Sequence, residues 1–115
     1  MEEAPATITW ADFERVDMRV GRVLAAEAFP EARTPAIKLQ IDFGPLGTRQ
    51  SSAQLTRHYT PEALVGRLVV AVVNFPPKRI AGYRSEVLVL GGIPGPGEVV
   101  LLNLDQEVPL GTRIA

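Results

Sequence analysis

Ser51, Ser52, His58 and Asp42 are the residue types from which a hydrolytic triad is assembled: a nucleophile, an imidazole base and a carboxylate that orients it. Their surroundings do not fit that chemistry. Neither serine stands in a Gly-x-Ser-x-Gly elbow, and the single histidine lies between Arg57 and Tyr59, a setting that reads as a loop or helix end. The glycine-rich run 91–97 lacks the Gly-Lys-Ser/Thr ending of a phosphate loop and does not follow the dinucleotide pattern, so it reads as a hairpin turn needing positive φ. The absence of cysteine excludes disulfides, thiolate metal sites and cysteine nucleophiles, and one histidine excludes a three-His metal site. These residues assign no catalytic group, no metal site and no cofactor.

A different segment combines charge with flat rings. It runs Val73-Asn74-Phe75-Pro76-Pro77-Lys78-Arg79-Ile80-Ala81-Gly82-Tyr83-Arg84-Ser85-Glu86. The proline pair stiffens the chain as it leaves an apolar strand, and Phe75 and Tyr83 bracket Lys78, Arg79 and Arg84. Rings interleaved with cations suit an extended peptide or a single-stranded nucleic acid, whose side chains or bases stack while carboxylates or phosphates meet the cations. The same residues equally fit an arrangement in which the two rings close the mouth of a barrel and the cations are merely solvated.

The elements that must position this segment are short. Thr9 and Asp12 form an acidic capping box, and Ile8 with Phe13 a hydrophobic staple, for a brief N-terminal helix. Residues 19–24 read as a strand, with Gly21 marking a bulge or bend. Residues 37–43 alternate without a fault and predict a half-buried strand, followed by a turn at 44–47 and a polar third strand over 48–55. Thr60 as cap, Pro61 in the first turn and Gly66 past the end predict a small helix between strands three and four. Residues 68–73 and 86–90 are apolar strands, 99–102 returns from the glycine turn, and the tail 109–114 adds an edge strand. Trp10, Phe13, Phe29 and Phe43 read as core or interface residues. Five or six short strands with two small helices predict a mainly β protein, a barrel or sandwich.

The chain has 115 residues, 46% hydrophobic and 22% charged, a single domain's composition with no linker or repeat. No apolar run reaches membrane-span length and Met1-Glu2-Glu3 is acidic, which predicts a cytoplasmic protein without membrane insertion. The formal charge of −1 argues against indiscriminate nucleic-acid binding, yet it hides a basic middle: residues 1–31 carry −4, residues 33–84 carry +6 and the remainder −3.

Asp17-Met18-Arg19-Val20-Gly21-Arg22-Val23 resembles the opening motif of the tRNA-binding-domain family, and residues 74–91, Asn-Phe-Pro-Pro-Lys-Arg-Ile-Ala-Gly-Tyr-Arg-Ser-Glu-Val-Leu-Val-Leu-Gly, its closing motif. The proline pair, the Ser-Glu-Val-Leu-Val-Leu-Gly ending and Gln50-Ser51-Ser52-Ala53-Gln54 are similar to the CsaA branch, the secretion-associated chaperones. The resemblance covers residues 8–114. It implies one oligonucleotide/oligosaccharide-binding (OB) domain over 1–115, a five-stranded Greek-key barrel used as a homodimer through extensions at both chain ends. It also places Asn74, Lys78, Arg79 and Ser85 on the ligand face, with Ser51 and Ser52 on the neighbouring strand. Together with Phe75, Tyr83 and Arg84 these are expected to form one outward cradle. Glu86 stands where synthetase-linked members usually carry a neutral amide, and the extra basic patches of strong tRNA binders are missing; both weaken a tRNA reading and leave a chaperone reading intact. Two non-catalytic functions follow from the resemblance: ATP-independent holding of unfolded precursor proteins for export, or structure-specific binding of tRNA.

Overall fold

Ile37, Leu39, Ile41 and Phe43, the alternating residues of the predicted second strand, all lie at 1% exposure or less and form the centre of the core. The computed structural model describes residues 6–115, so Glu2 and Glu3 lie outside the described residues. Among the described residues nine strands form: β1 Met18–Ala28, β2 Ile37–Asp42, β3 Thr48–Ala53, β4 Leu68–Val72, β5 Lys78–Ile80, β6 Tyr83–Ser85, β7 Leu88–Val89, β8 Gly91–Gly92 and β9 Val100–Leu101. Five of them make the main sheet, in the order β3-β2-β1-β4-β7, with every neighbouring pair antiparallel. Four antiparallel pairings leave its outer strands, β3 and β7, running parallel to each other. The sheet curls so that these two meet, giving the nearly closed OB-type barrel of five strands that the resemblance implies.

β1 is far longer than predicted. Its first half pairs with β4 and its second half with β2, through a register shift between Val23 and Ala25. The shift, not Gly21, is where the strand is irregular. Gly21 serves close packing instead: a Cβ there would lie 2.5 Å from Ile41 Cγ2 and 2.7 Å from Phe43 Cε1. The tail does add an edge to β1, through the Arg19–Arg113 bridge and the Val20–Thr112, Gly111–Val20 and Ile114–Met18 backbone bonds.

The two helices form where their caps predict. Thr60 Oγ1 accepts the Ala63 amide to start α2, Pro61–Leu64, which buries Leu64. The Thr9–Asp12 box starts α1, Trp10–Glu14, with reciprocal bonds of 3.0 and 3.1 Å. No residue of α1 is buried, Ile8 stays exposed, and Trp10 is 82% exposed. Of the four aromatic residues proposed for core or interface, Phe29 and Phe43 are core, while Trp10 faces outward. Polar contacts hold α1 in place: Asn74 Oδ1 accepts the Asp17 amide, Asn74 Nδ2 donates to the Arg15 carbonyl, and Arg113 donates to the Glu14 carbonyl. Among the described residues no helix is long and apolar enough to cross a membrane.

Gly21→Ala forces Ile41 and Phe43 out of a filled core, and overpacking of this kind costs about 1–3 kcal/mol. Thermal denaturation is expected to show the loss with the far-UV spectrum of the folded state unchanged.

Candidate ligand-binding site

The site begins at the seam where β3 meets the run that joins β6 to β7. A regular ladder is replaced there by side chains. The Glu86 amide donates to the Gln50 carbonyl at 2.8 Å, and the Glu86 carboxylate accepts the Gln50 amide at 3.0 Å. The Gln50 side chain donates to the Arg84 carbonyl, Ser85 Oγ accepts the Ser52 amide, and Ser51 Oγ donates to the Val87 carbonyl. Ser51 is a buried polar side chain in the core, at 1% exposure. The Gln-Ser-Ser and Ser-Glu motifs are therefore the closure of the barrel, and Ser51 turns into the interior, away from the ligand face proposed for it.

Beyond Ser52 the two sides diverge and a groove of about 560 Å³ opens between them. It is lined by Ala53, Gln54 and Leu55 from the end of β3, by Val87, Val89 and Leu90 from β7 and its flanks, by Phe75, Pro76, Lys78 and Ile80 from the run into β5, and by Ile93 and Val99 from the loop between β8 and β9. Its volume falls within the ordinary range of ligand pockets. The lining is mostly aliphatic, with Lys78 and Glu86 as its charged members. Lys78 forms no ion pair among the described residues.

β5 and β6 make a hairpin that the propensities did not reveal. Its two-residue turn, Ala81-Gly82, has φ of +47° and +83°, and the pairing runs Lys78–Ser85, Arg79–Arg84, Ile80–Tyr83. A primed turn of this sort is normally announced by Asn-Gly or Asp-Gly, and alanine carries no such signal. The pleat then sorts the expected cradle into two faces. Lys78, Ile80 and Ser85 look towards the groove; Arg79 and Arg84 lie opposite each other on the far side, both exposed.

Tyr83 is turned onto the barrel wall. Its ring meets Phe29 edge-on at 5.5 Å, its hydroxyl donates to the Leu39 carbonyl, and Lys38 Nζ stands 4.6 Å from the Phe29 centroid and 5.1 Å from that of Tyr83. Burial, then the carboxylates of Glu27 and Glu86, push the Tyr83 phenol above its ordinary value, so it remains a protonated donor at neutral pH.

Of the nine residues expected at the ligand face, the groove thus gathers Ser52, Phe75, Lys78 and Ser85. Asn74 clamps α1 to β4, Ser51 closes the seam, Tyr83 pins the hairpin, and Arg79 with Arg84 face elsewhere. Ile80, Leu88, Leu90, Ile93 and Val99 are groove residues that the sequence reading missed. Their apolar character looked like ordinary core, and nothing in a strand pattern says that the core is open.

Residues 18–113 match the family described as "Putative tRNA binding domain". The chaperone CsaA of Bacillus anthracis superposes with a TM-score of 0.92 at 59% identity, covering 96% of this chain and 100% of that one. The CsaA chaperone protein of Picrophilus torridus does so at 0.86 and 46%, covering 95% and 100%. A methionine–tRNA ligase of Rhodopirellula baltica is 44% identical over 107 residues, 93% of this chain but 16% of that protein; the chain spans about a sixth of the length of the curated relatives it matches.

Ser51→Ala leaves the buried Val87 carbonyl without its donor and is expected to cost about 1–3 kcal/mol. Ser52→Ala, whose partner is the backbone amide and not the hydroxyl, should stay within about 0.5 kcal/mol. Denaturant titration of the two variants side by side measures the contrast.

Proposed function

This chain belongs to the tRNA-binding-domain family, and from that footing we propose that it is a non-catalytic, CsaA-like chaperone that holds extended segments of unfolded precursor proteins in the groove between β3 and β7. The observation that carries the reading is the groove itself, a cleft of about 560 Å³ lined mainly by aliphatic side chains. Exposed Phe75 and Ile93 sit at its rim, where an apolar client side chain gains contact without displacing a folded core. Lys78 offers a cation to a client carboxylate. A cytoplasmic location goes with this role. Likeness to two CsaA structures over nearly the full length of each supports the reading.

Binding of tRNA is the second reading, and one observation favours it. Arg79 and Arg84 lie directly opposite each other on the outer face of the hairpin, exposed, with no acidic partner among the described residues. Paired guanidiniums of this kind suit phosphate oxygens. The two readings therefore fall on opposite faces of β5–β6. A homodimer belongs to the proposal as well: α1 presents Trp10 with no cover from its own barrel, held out by Asn74 and Arg113. A second copy that buries this ring would set two grooves on one client and raise avidity.

Ile93→Asp is expected to weaken binding of a reduced, unfolded client by about tenfold, the effect of losing one apolar anchor. Arg79→Ala with Arg84→Ala should leave client binding unchanged and reduce both tRNA affinity and its salt dependence. Fluorescence anisotropy with both ligands from low to physiological salt measures this. Submicromolar tRNA binding at physiological salt without client binding would overturn the chaperone reading. Trp10→Ala is expected to shift the protein from dimer towards monomer at low micromolar concentration in equilibrium sedimentation.

A further inference from the structure

His58 and Glu98 join two segments that both line the groove. His58 Nε2 donates to Glu98 Oε1 at 3.0 Å, and both side chains are partly exposed. Gln54 and Leu55, groove residues, stand just ahead of His58, and Ile93 and Val99, also groove residues, bound the run that carries Glu98. The His58 side of this bond is firm. The Leu55 amide donates to the Ala53 carbonyl and the Tyr59 amide to the Leu55 carbonyl, which fixes the turn. Tyr59, next in the chain, packs against the core, its hydroxyl accepts the Leu101 amide, and the Arg67 guanidinium lies 5.3 Å from its ring centroid.

The Glu98 side has a fixed base and a lightly held tip. At the base Gly91 and Gly92 pair with Leu101 and Val100, and the Leu102 amide donates to the Leu90 carbonyl. A Cβ on Gly91 would lie 2.5 Å from the Val100 carbonyl oxygen, so the two strands of the base are in close backbone contact. In the tip, residues 93–98, the Glu98 amide closes a turn onto the Gly95 carbonyl. Pro94 and Pro96 hold their own φ. Rotation is left to the glycines outside them: a Cβ on Gly92 would meet nothing nearer than 4.0 Å, and Gly97, at φ +72°, has nothing within 4 Å. Among the described residues the His58–Glu98 bond is the one polar contact between the tip and the rest of the barrel. Ile93, in the same tip, is 73% exposed.

Resting on the chaperone reading above, we propose that residues 93–98 are a flap on the groove, pivoting at Gly92 and Gly97 and latched by the His58–Glu98 bond, and that this latch sets how fast a client enters and leaves. A partly exposed pair holds such a contact by no more than about fivefold, so the flap opens by thermal motion alone. A latch that touches no client raises or lowers both rates together and leaves affinity where it was. A side chain in contact with the client acts mainly on release and therefore on affinity.

The test is stopped-flow fluorescence on the full chain with a labelled, capped peptide of leucine, valine and serine carrying one glutamate. His58→Ala and Glu98→Ala are each expected to raise association and release together by about threefold, with Kd changed by less than about twofold. Exchanging the partners, His58→Glu with Glu98→His, remakes the bond and should return both rates to those of the parent. The chain has no cysteine, so His58→Cys with Glu98→Cys supplies two unique thiols for a short bifunctional maleimide. Linking the empty protein should slow association by about tenfold or more, and linking it after loading should slow release as much. Faster release alone in the single variants, with affinity lost, makes the pair a client contact and overturns the flap. Linked protein that exchanges peptide at the parent's rates also overturns it. In both cases the peptide is still bound and the chaperone reading stands. A parent protein that binds no such peptide overturns both.

Discussion

The barrel closes on side chains. β3 and β7 must meet for the core to be sealed, but they run parallel and β7 contributes only two residues, so a regular ladder cannot do the work. Gln50, Ser51 and Ser52 bond instead to Arg84, Ser85, Glu86 and Val87, one of these bonds from the fully buried Ser51 hydroxyl. Each bond is worth about 1 kcal/mol net, but the loss of any buried partner is costlier than its gain. The seam therefore holds as a unit, and the groove is the space left where it stops. Glu86, which looked like an unwelcome charge on a ligand face, has one carboxylate oxygen committed to the Gln50 amide.

The hairpin that lines the groove depends on a second cluster, built around Phe29 and Tyr83. Phe29 and Tyr83 meet edge-on, Lys38 lies against both rings, and the Tyr83 hydroxyl reaches the β2 backbone at Leu39. Aromatic contact and a nearby cation are each worth about 1 kcal/mol. Pinned in this way, the hairpin turns one face to an aliphatic cleft and the other, with two arginines, to solvent. One short β-ribbon thus divides two chemistries that the linear motif runs together. Asn74 and Arg113 bind the α1 junction and the tail into one corner, which explains how a helix with nothing buried keeps a defined position.

Much of the framework was legible because it rests on local rules. The β2 alternation and the two threonine caps follow from short-range sterics and burial and formed where expected, whereas the glycine run 91–97 gave its hairpin with Gly91–Gly92 inside strand β8 and, of its glycines, only Gly97 at positive φ. Misreadings came where a residue answers to a distant partner. Gly21 was read as a bend and is a packing notch for Ile41 and Phe43; Ser51 and Asn74 were read as ligand contacts and are structural clamps.

Residue order alone determined the helix caps, the buried face of β2 and the family motifs, since period and turn chemistry act within a few residues. Tertiary structure decided which side of the β5–β6 ribbon each cation takes, that the two serines serve the seam, and that the barrel stays open beyond them. Those outcomes depend on contacts between residues thirty or more positions apart, such as Gln50 with Glu86 and Leu39 with Tyr83, and no local pattern encodes where such partners meet.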